Sequence, residues 1–338
     1  MTGAHGLPLF GGGDWNDGMN RVGREGRGES VWMAFFLCAV IGGFLPLARA
    51  RGDHGRAERW QRRRDALRQA IETSGWDGEW YRRAYYDDGT PLGSHTSDEC
   101  RIDALARAWA VLSGAASPER ARAAMEAVER QLVDEREGLI RLLTPPFEHT
   151  PHDPGYIKGY VPGVRENGGQ YTHAALWVVR AFAEMGRHDR AARLLEMLTP
   201  VAHGLHPDRL ATYQVEPYVV AADVYGAPPH VGRGGWTWYT GSSGWMFRVA
   251  LESVLGLRLE RGRTLCVRPC IPADWPGYEV AWRAAHDTRY EIVVRNGGRD
   301  GLVRGARLDG RETEVVDGTA RIPLAGDGRA HRVEIDLG

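Results

Sequence analysis

Residues 31–47 read VWMAFFLCAVIGGFLPL and residues 54–73 read HGRAERWQRRRDALRQAIET, and the contrast between the two runs decides the fold class. The first carries no charge, and Ser30 ahead of it is a capping residue, which predicts a helix over about 30–48. In the second, Trp60, Leu67 and Ile71 recur at helical spacing among arginines, which predicts an amphipathic helix over 54–73. An apolar helix followed at once by an amphipathic one is a helical hairpin with one member turned inward and the other toward solvent. The uncharged run touches the lower length limit of a membrane span. Gly42, Gly43 and Pro46 interrupt it, however, and spans usually approach 20 residues with aromatic anchors at their ends, so it reads as a helix buried among other helices and not as a span.

The hairpin pattern recurs downstream. Residues 98–112 and 118–133 form a second predicted pair and 169–185 with 188–198 a third, and single helices are expected around 217–225 and over 243–255. The first helix of each pair is the more apolar, as in a barrel whose inner helices are lined by an outer ring. After Gly256 the period changes to two: LRLERGRTLCVRPCIP, YEVAW, RYEIVVRN and HRVEIDL alternate apolar and polar residues. Turns at Asn296-Gly297-Gly298, Asp309-Gly310 and Asp317-Gly318 separate them. The expected fold is therefore mainly α with a C-terminal β domain. Residues 1–256 form a ring of helical hairpins and residues 257–338 an antiparallel β-sandwich.

Composition narrows the function. The 338 residues suit two domains, and 43 Lys plus Arg against 44 Asp plus Glu leave no general attraction to nucleic acid or to an anionic membrane. Twelve tryptophans offer flat apolar faces that stack on sugar rings as readily as they fill cores. Cys38, Cys100, Cys266 and Cys270 are too few and scattered for a disulfide framework and lack partners for a zinc site, so they read as structural thiols in a reducing compartment. The N-terminal stretch has no signal-peptide pattern, and the expected location is cytoplasmic.

Three polar constellations could carry chemistry. In Gly11-Gly12-Gly13-Asp14-Trp15-Asn16-Asp17-Gly18 no strand precedes and no helix immediately follows, which excludes a dinucleotide-type glycine loop and leaves two carboxylates and a tryptophan on a turn. Alone, such aspartates are often turn-formers that bond their own backbone. In Arg165-Glu166-Asn167-Gly168-Gly169-Gln170-Tyr171-Thr172-His173, polar groups gather at the mouth of an apolar helix, with His173 expected one turn inside it. There the histidine is either a satisfied core residue or a donor to an anion at the helix's positive end. In HVGRGGWTWYTGSSGW (230–245), glycines let a ligand approach the backbone and Thr240, Ser242 and Ser243 supply hydroxyls ahead of a helix expected from Ser243. That is an anion cradle or an ordinary capped helix behind an aromatic loop.

Together GLPLFGGGDWNDGMNRVG (6–23), GRGESVW (26–32), VRENGGQYTHAALW (164–177), EPYVVAADVYG (216–226) and GGWTWYTGSSGWM (234–246) resemble glycoside hydrolase family 94. These are inverting β-glucoside phosphorylases. The likeness is strongest to the branch containing the phosphorylase-like C-terminal region of cyclic β-1,2-glucan synthases and the 1,2-β-oligoglucan phosphorylases. The resemblance covers essentially the whole chain and implies an (α/α)6 barrel followed by a β-sandwich. It also implies that Asp17 is the general acid and Trp15 lies beside the sugar in the cleavage subsite. Asp14, Glu166 and Trp238 join Trp15 around the substrate, and His173, Thr240 and Gly241 contact phosphate. A phosphate-side glutamine of cellobiose phosphorylase falls at Ala222. No cofactor or metal is implied; inorganic phosphate is the co-substrate and a β-glucan oligosaccharide, β-1,2-linked, the partner.

The chemistry fits these residue types. An inverting glycosidase needs an acid and a base ~6.5–9.5 Å apart, whereas a phosphorylase needs only the acid, because phosphate is already an anionic nucleophile. The rival readings are an inverting hydrolase using Glu216 or Asp223 as base, and a non-catalytic carbohydrate-binding or assembly fragment. The second has weight because the chain holds fewer helices than a full barrel. The missing first half implies a separately supplied N-terminal half or self-association, and little activity alone.

Overall fold

A computed structural model describes residues 1–298 and 300–338. The N-terminal part is helical and the C-terminal region rich in sheet. The chain divides into two compact units: residues 1–181 with 197–243, and residues 182–196 with 244–338.

In the first unit, α1 (Val31–Ala50) is capped by Ser30, whose hydroxyl accepts from the Met33 N–H, and α2 (His54–Ala70) by Asp53, whose carboxylate accepts from Arg56. α2 ends in a single wide turn, Ile71–Gly75. Helices α3 (Ala104–Leu112) and α4 (Pro118–Gln131) make the second hairpin. α1 packs on α2 and α3 through Val31, Trp32, Phe35, Cys38 and Ile41, all buried, with Phe35 edge-on to Tyr81 at 5.1 Å. Its other face is not covered: Phe36, Val40, Phe44 and Leu47 are exposed, the last two by 53% and 59%. The helix expected to lie buried among other helices is thus buried on one side, with the other side open. By length and composition α1 is also apolar enough to cross a membrane.

α5 (Thr172–Glu184), α6 (His188–Leu198), α7 (Pro200–Gly204), α8 (Pro207–Tyr213) and α9 (Thr240–Arg248) complete the helices of regular α type. Three expectations need correction. Residues 98–103 are not helical, because Ile102–Asp103 pairs with Leu143–Thr144 and Asp103 caps α3 by accepting from Leu105 and Ala106. Residues 217–225 form a turn and a short strand, because Asp223–Val224 pairs with Gln170–Tyr171 and the apolar spacing there serves a ladder instead of a helix face. α9 starts three residues earlier than Ser243, two residues after Trp238, whose φ of +62° breaks the preceding extended backbone. Its chain continues as one wide helical stretch, Val249–Val254.

The second unit holds two sheets. β1 (Leu257–Glu260), β2 (Thr264–Val267), β7 (Glu314–Val316) and β8 (Thr319–Pro323) form one in the order β1-β2-β8-β7. β3 (Gly277–Arg283), β4 (Arg289–Arg295), β5 (Val303–Leu308), β6 (Arg311–Glu312) and β9 (Ala330–Leu337) form the other in the order β3-β4-β9-β5-β6. Leu265, Val267 and Ile322 from the first sheet and Ile292, Val294, Val333 and Ile335 from the second belong to one buried cluster. The sheets are not wholly antiparallel as expected: β4 and β9 run parallel, Arg289 opposite Ala330 through Arg295 opposite Asp336. The C-terminal strand enters beside β4 after a crossover, which alternation of residues cannot reveal. The four cysteines are free and buried.

Candidate active site

The glycine loop around Asp14 and Asp17 is folded by its own side chains. The Asn16 N–H donates to Asp14 Oδ1 at 3.0 Å, and Asn16 Oδ1 accepts from the Gly18 N–H at 3.1 Å, capping the single 3-10 turn Asp17–Met19. Gly13 has a φ of +141°, and a Cβ there would lie 3.2 Å from Asp17 Cα, so the close approach of the turn requires glycine. These bonds send the two carboxylates to opposite fates. The Asp14 side chain is completely buried and clasped by Arg83 and Ser30. Asp17 is exposed; burial and the Asp17 carboxylate beside it push the Tyr156 phenol up to about 12.

Trp15 turns toward α5. Its ring lies 5.3 Å from Tyr171, 5.5 Å from His173 and 5.6 Å from Trp177, and His173 and Trp177 are themselves 4.4 Å apart. His173 is the second residue of α5, in its first turn and not a turn inside as the sequence suggested. Burial lowers its pKa from 6.5 to about 4, so the imidazole is neutral at pH 7 and keeps one ring N–H to donate.

A short backbone ladder brings the third segment to the same place. Gln170–Tyr171 pairs with Asp223–Val224, Val224 bridges to Gly234, the Thr172 N–H donates to the Ala222 carbonyl at 2.9 Å and the Ala222 N–H to the Trp236 carbonyl at 2.6 Å. Residues 222–224 therefore link the start of α5 to the segment that leads through Gly234 and Trp236 to Thr240 and Gly241, both exposed in the first turn of α9. A Cβ at Gly241 would meet open space. Trp238 is 68% exposed, and its Nε1–H points to Glu216 Oε1 at 3.4 Å.

Glu166 is buried and pairs with Arg165 at 3.4 Å. The Arg165 guanidinium sits 5.0 Å from the Tyr160 ring and 5.0 Å from the Trp236 ring, between two aromatic faces. Asp223 is buried, with Oδ1 accepting from the Trp236 N–H at 3.2 Å, and burial raises its pKa. Sequence reading thus placed Trp15, Asp17, Glu166 and His173 in segments that the fold does bring together, while Asp14 faces inward. It missed Arg83, Tyr156, Tyr160 and Arg165. Arg165 stands in a quoted motif, and its left-handed φ of +53° is invisible in the sequence.

The family model for the glycosyl hydrolase 94 superfamily catalytic domain matches residues 1–256. Over 300 residues the chain is 55% identical to cyclic beta-(1,2)-glucan synthase NdvB of Rhizobium meliloti (strain 1021), covering 89% of this chain and 10% of that protein. It is 35% identical over 339 residues to solabiose phosphorylase of Paenibacillus borealis, covering 99% of this chain and 43% of the relative. It is 34% identical over 330 residues to N,N'-diacetylchitobiose phosphorylase of Vibrio furnissii, covering 96% and 39%. The chain therefore spans a tenth of the first relative and about two fifths of the phosphorylases.

Proposed function

The chain belongs to the glycosyl hydrolase 94 superfamily, and from that premise we propose that it forms the C-terminal part of an enzyme that cleaves a β-glucan, β-1,2-linked, by reversible inverting phosphorolysis. The observation that carries this reading is the contact of Trp15 with His173, which joins the loop of the exposed carboxylate Asp17 to a helix start suited to an anion.

In this reading the sugar stacks by Trp15. Asp17, protonated, gives its proton to the leaving glycosidic oxygen as the bond to the anomeric carbon breaks. A phosphate oxygen attacks that carbon from the opposite face, forming α-glucose 1-phosphate and a glucan shorter by one residue. The neutral His173 N–H, the Thr240 hydroxyl and the Gly241 N–H hold the phosphate for in-line attack. Glu166, Trp238 and Arg165 shape the sugar side. Asp14 serves the loop. No cofactor enters the scheme.

The rival hydrolase needs an ionised base. Asp223 is buried and burial raises its pKa, which disfavours it as that base and favours phosphate as the nucleophile. The helical hairpins of residues 1–256 are read as part of an (α/α)6 barrel and residues 257–338 as a β-sandwich, in a cytoplasmic enzyme. The uncovered stripe of α1 supports an incomplete barrel that is closed by an N-terminal half or by self-association. The test is incubation with a β-1,2-gluco-oligosaccharide with and without phosphate. Glucose 1-phosphate formed only with phosphate supports phosphorolysis. Free glucose in both samples makes the enzyme a hydrolase, and binding without turnover in the completed enzyme makes the segment non-catalytic.

A further inference from the structure

The acid loop is held from beneath by a buried charge relay that the proposed reaction does not itself use. Arg83 donates Nη2–H to Asp14 Oδ1 at 2.5 Å and Nη1–H to Asp14 Oδ2 at 2.6 Å, a two-pronged grip in which both side chains are 0% exposed. Ser30 Oγ donates to the same Oδ2 at 2.7 Å while capping α1. Behind it, Arg83 Nε lies 3.4 Å from Asp103 Oδ2, and Asp103 caps α3. Arg107 stands 3.9 Å from Asp103 and donates Nη2–H to the Gly93 carbonyl at 2.6 Å. The loop is thus tied through one guanidinium to the starts of two helices.

The direction of leverage follows from the bonds. Asp14 Oδ1 also accepts from the Asn16 N–H, and Asn16 caps the turn on which Asp17 is the first residue. Fixing Asp14 therefore fixes the turn three residues on. Burial opposes a charge on Arg83, but Asp14 and Asp103 beside it outweigh that cost, so its pKa lies above the ordinary arginine value and the guanidinium stays charged. The turn is also held by Met19, buried in a cluster with Phe10 and Ile157, and by the packed Trp15 ring, whereas the glycines ahead of Asp14 are open. Gly11 and Gly12 have nothing within 4 Å of an added Cβ.

We propose that Arg83 is a positioning residue that sets the place of Asp17 through its two-pronged bond to Asp14, so that the buried relay tunes the rate of proton donation and not the affinity for phosphate. This rests on the reading of Asp17 as the acid. A lysine at 83 keeps the charge and loses the fork.

The test uses two readouts on Arg83→Lys, Asp14→Asn and the double variant. Amide hydrogen exchange is measured on the chain itself, and turnover on the full-length enzyme that carries this segment. Each single variant is expected to speed exchange across residues 13–19 by tenfold or more while α1 and α3 keep their protection. Each is also expected to lower kcat tenfold or more with the KM for phosphate changed less than twofold. The double variant should be no worse than the poorer single one, because both cut the same contact. Unchanged exchange at 13–19, a fall confined to the phosphate KM, or fully additive losses would overturn the proposal. If Arg83→Lys does not fold, Asp14→Asn, which leaves Arg83 beside Asp103, decides by the same criteria. Asp17→Asn run alongside separates the two ideas: normal turnover there removes the acid reading, and the exchange result still tests the grip.

Discussion

His203 gives the chain an acid-labile point whose size follows from its surroundings. It is 6% exposed and stacked on Tyr213 with ring centroids 4.4 Å apart and planes at 11°. Burial, helped by the charge of Arg209, lowers its pKa from 6.5 to about 4. The unfolded chain therefore binds the proton first as pH falls. Stability from this group is complete above pH 6.5, is lost progressively between 6.5 and about 4, and falls no further below that. The full loss is about 3 kcal/mol, and about 2.5 kcal/mol by pH 4.5. His203→Phe keeps an aromatic face on Tyr213 and has no proton to gain. Urea unfolding of both proteins at pH 7.5 and 4.5 should show the variant near wild type at the higher pH and about 2.5 kcal/mol better, relative to it, at the lower. Carboxylates that also titrate are common to both proteins and cancel in the comparison. Parallel losses in the two proteins would refute the reasoning and mean that the His203 ring is reached by water.

Other outcomes follow from the same structure. Asp17→Asn should lower phosphorolysis by about 10²–10⁴-fold in the completed enzyme with an unchanged thermal midpoint, measured by glucose 1-phosphate release, because an amide cannot protonate the leaving oxygen. His173→Ala and Thr240→Val should each raise the KM for phosphate tenfold or more while altering that for glucan little, since a contact to an anion is worth about 1.5–3 kcal/mol; initial rates over both substrates check this. Phe44→Glu with Leu47→Lys should reduce self-association of the isolated chain, read by light scattering, because both side chains lie on the uncovered stripe of α1.

Much of this was legible in residue order because the elements concerned are local. The two runs at 31–47 and 54–73 announce a hairpin, Pro118 and His188 open helices where expected, and the change of period after Gly256 marks the sheets. The failures have a common cause in pairing across long separations. The apolar spacing of 217–225 suits a helix until Gln170–Tyr171 offers Asp223–Val224 a strand partner. Arg83 lies 69 residues from Asp14, one of many arginines, and nothing near it in sequence marks it as buried. The motifs named Asp14 and Asp17 together. Only the fold separates them into an inward anchor and an outward acid.

The most direct measurement is the phosphorus NMR spectrum of the completed enzyme turning over a β-1,2-gluco-oligosaccharide in phosphate, recorded from the first minutes so that the anomer formed is the one released. The account predicts α-glucose 1-phosphate as the first and only phosphorylated sugar, absent from the Asp17→Asn protein. β-Glucose 1-phosphate, or loss of oligosaccharide to free glucose with no sugar phosphate at all, would contradict it.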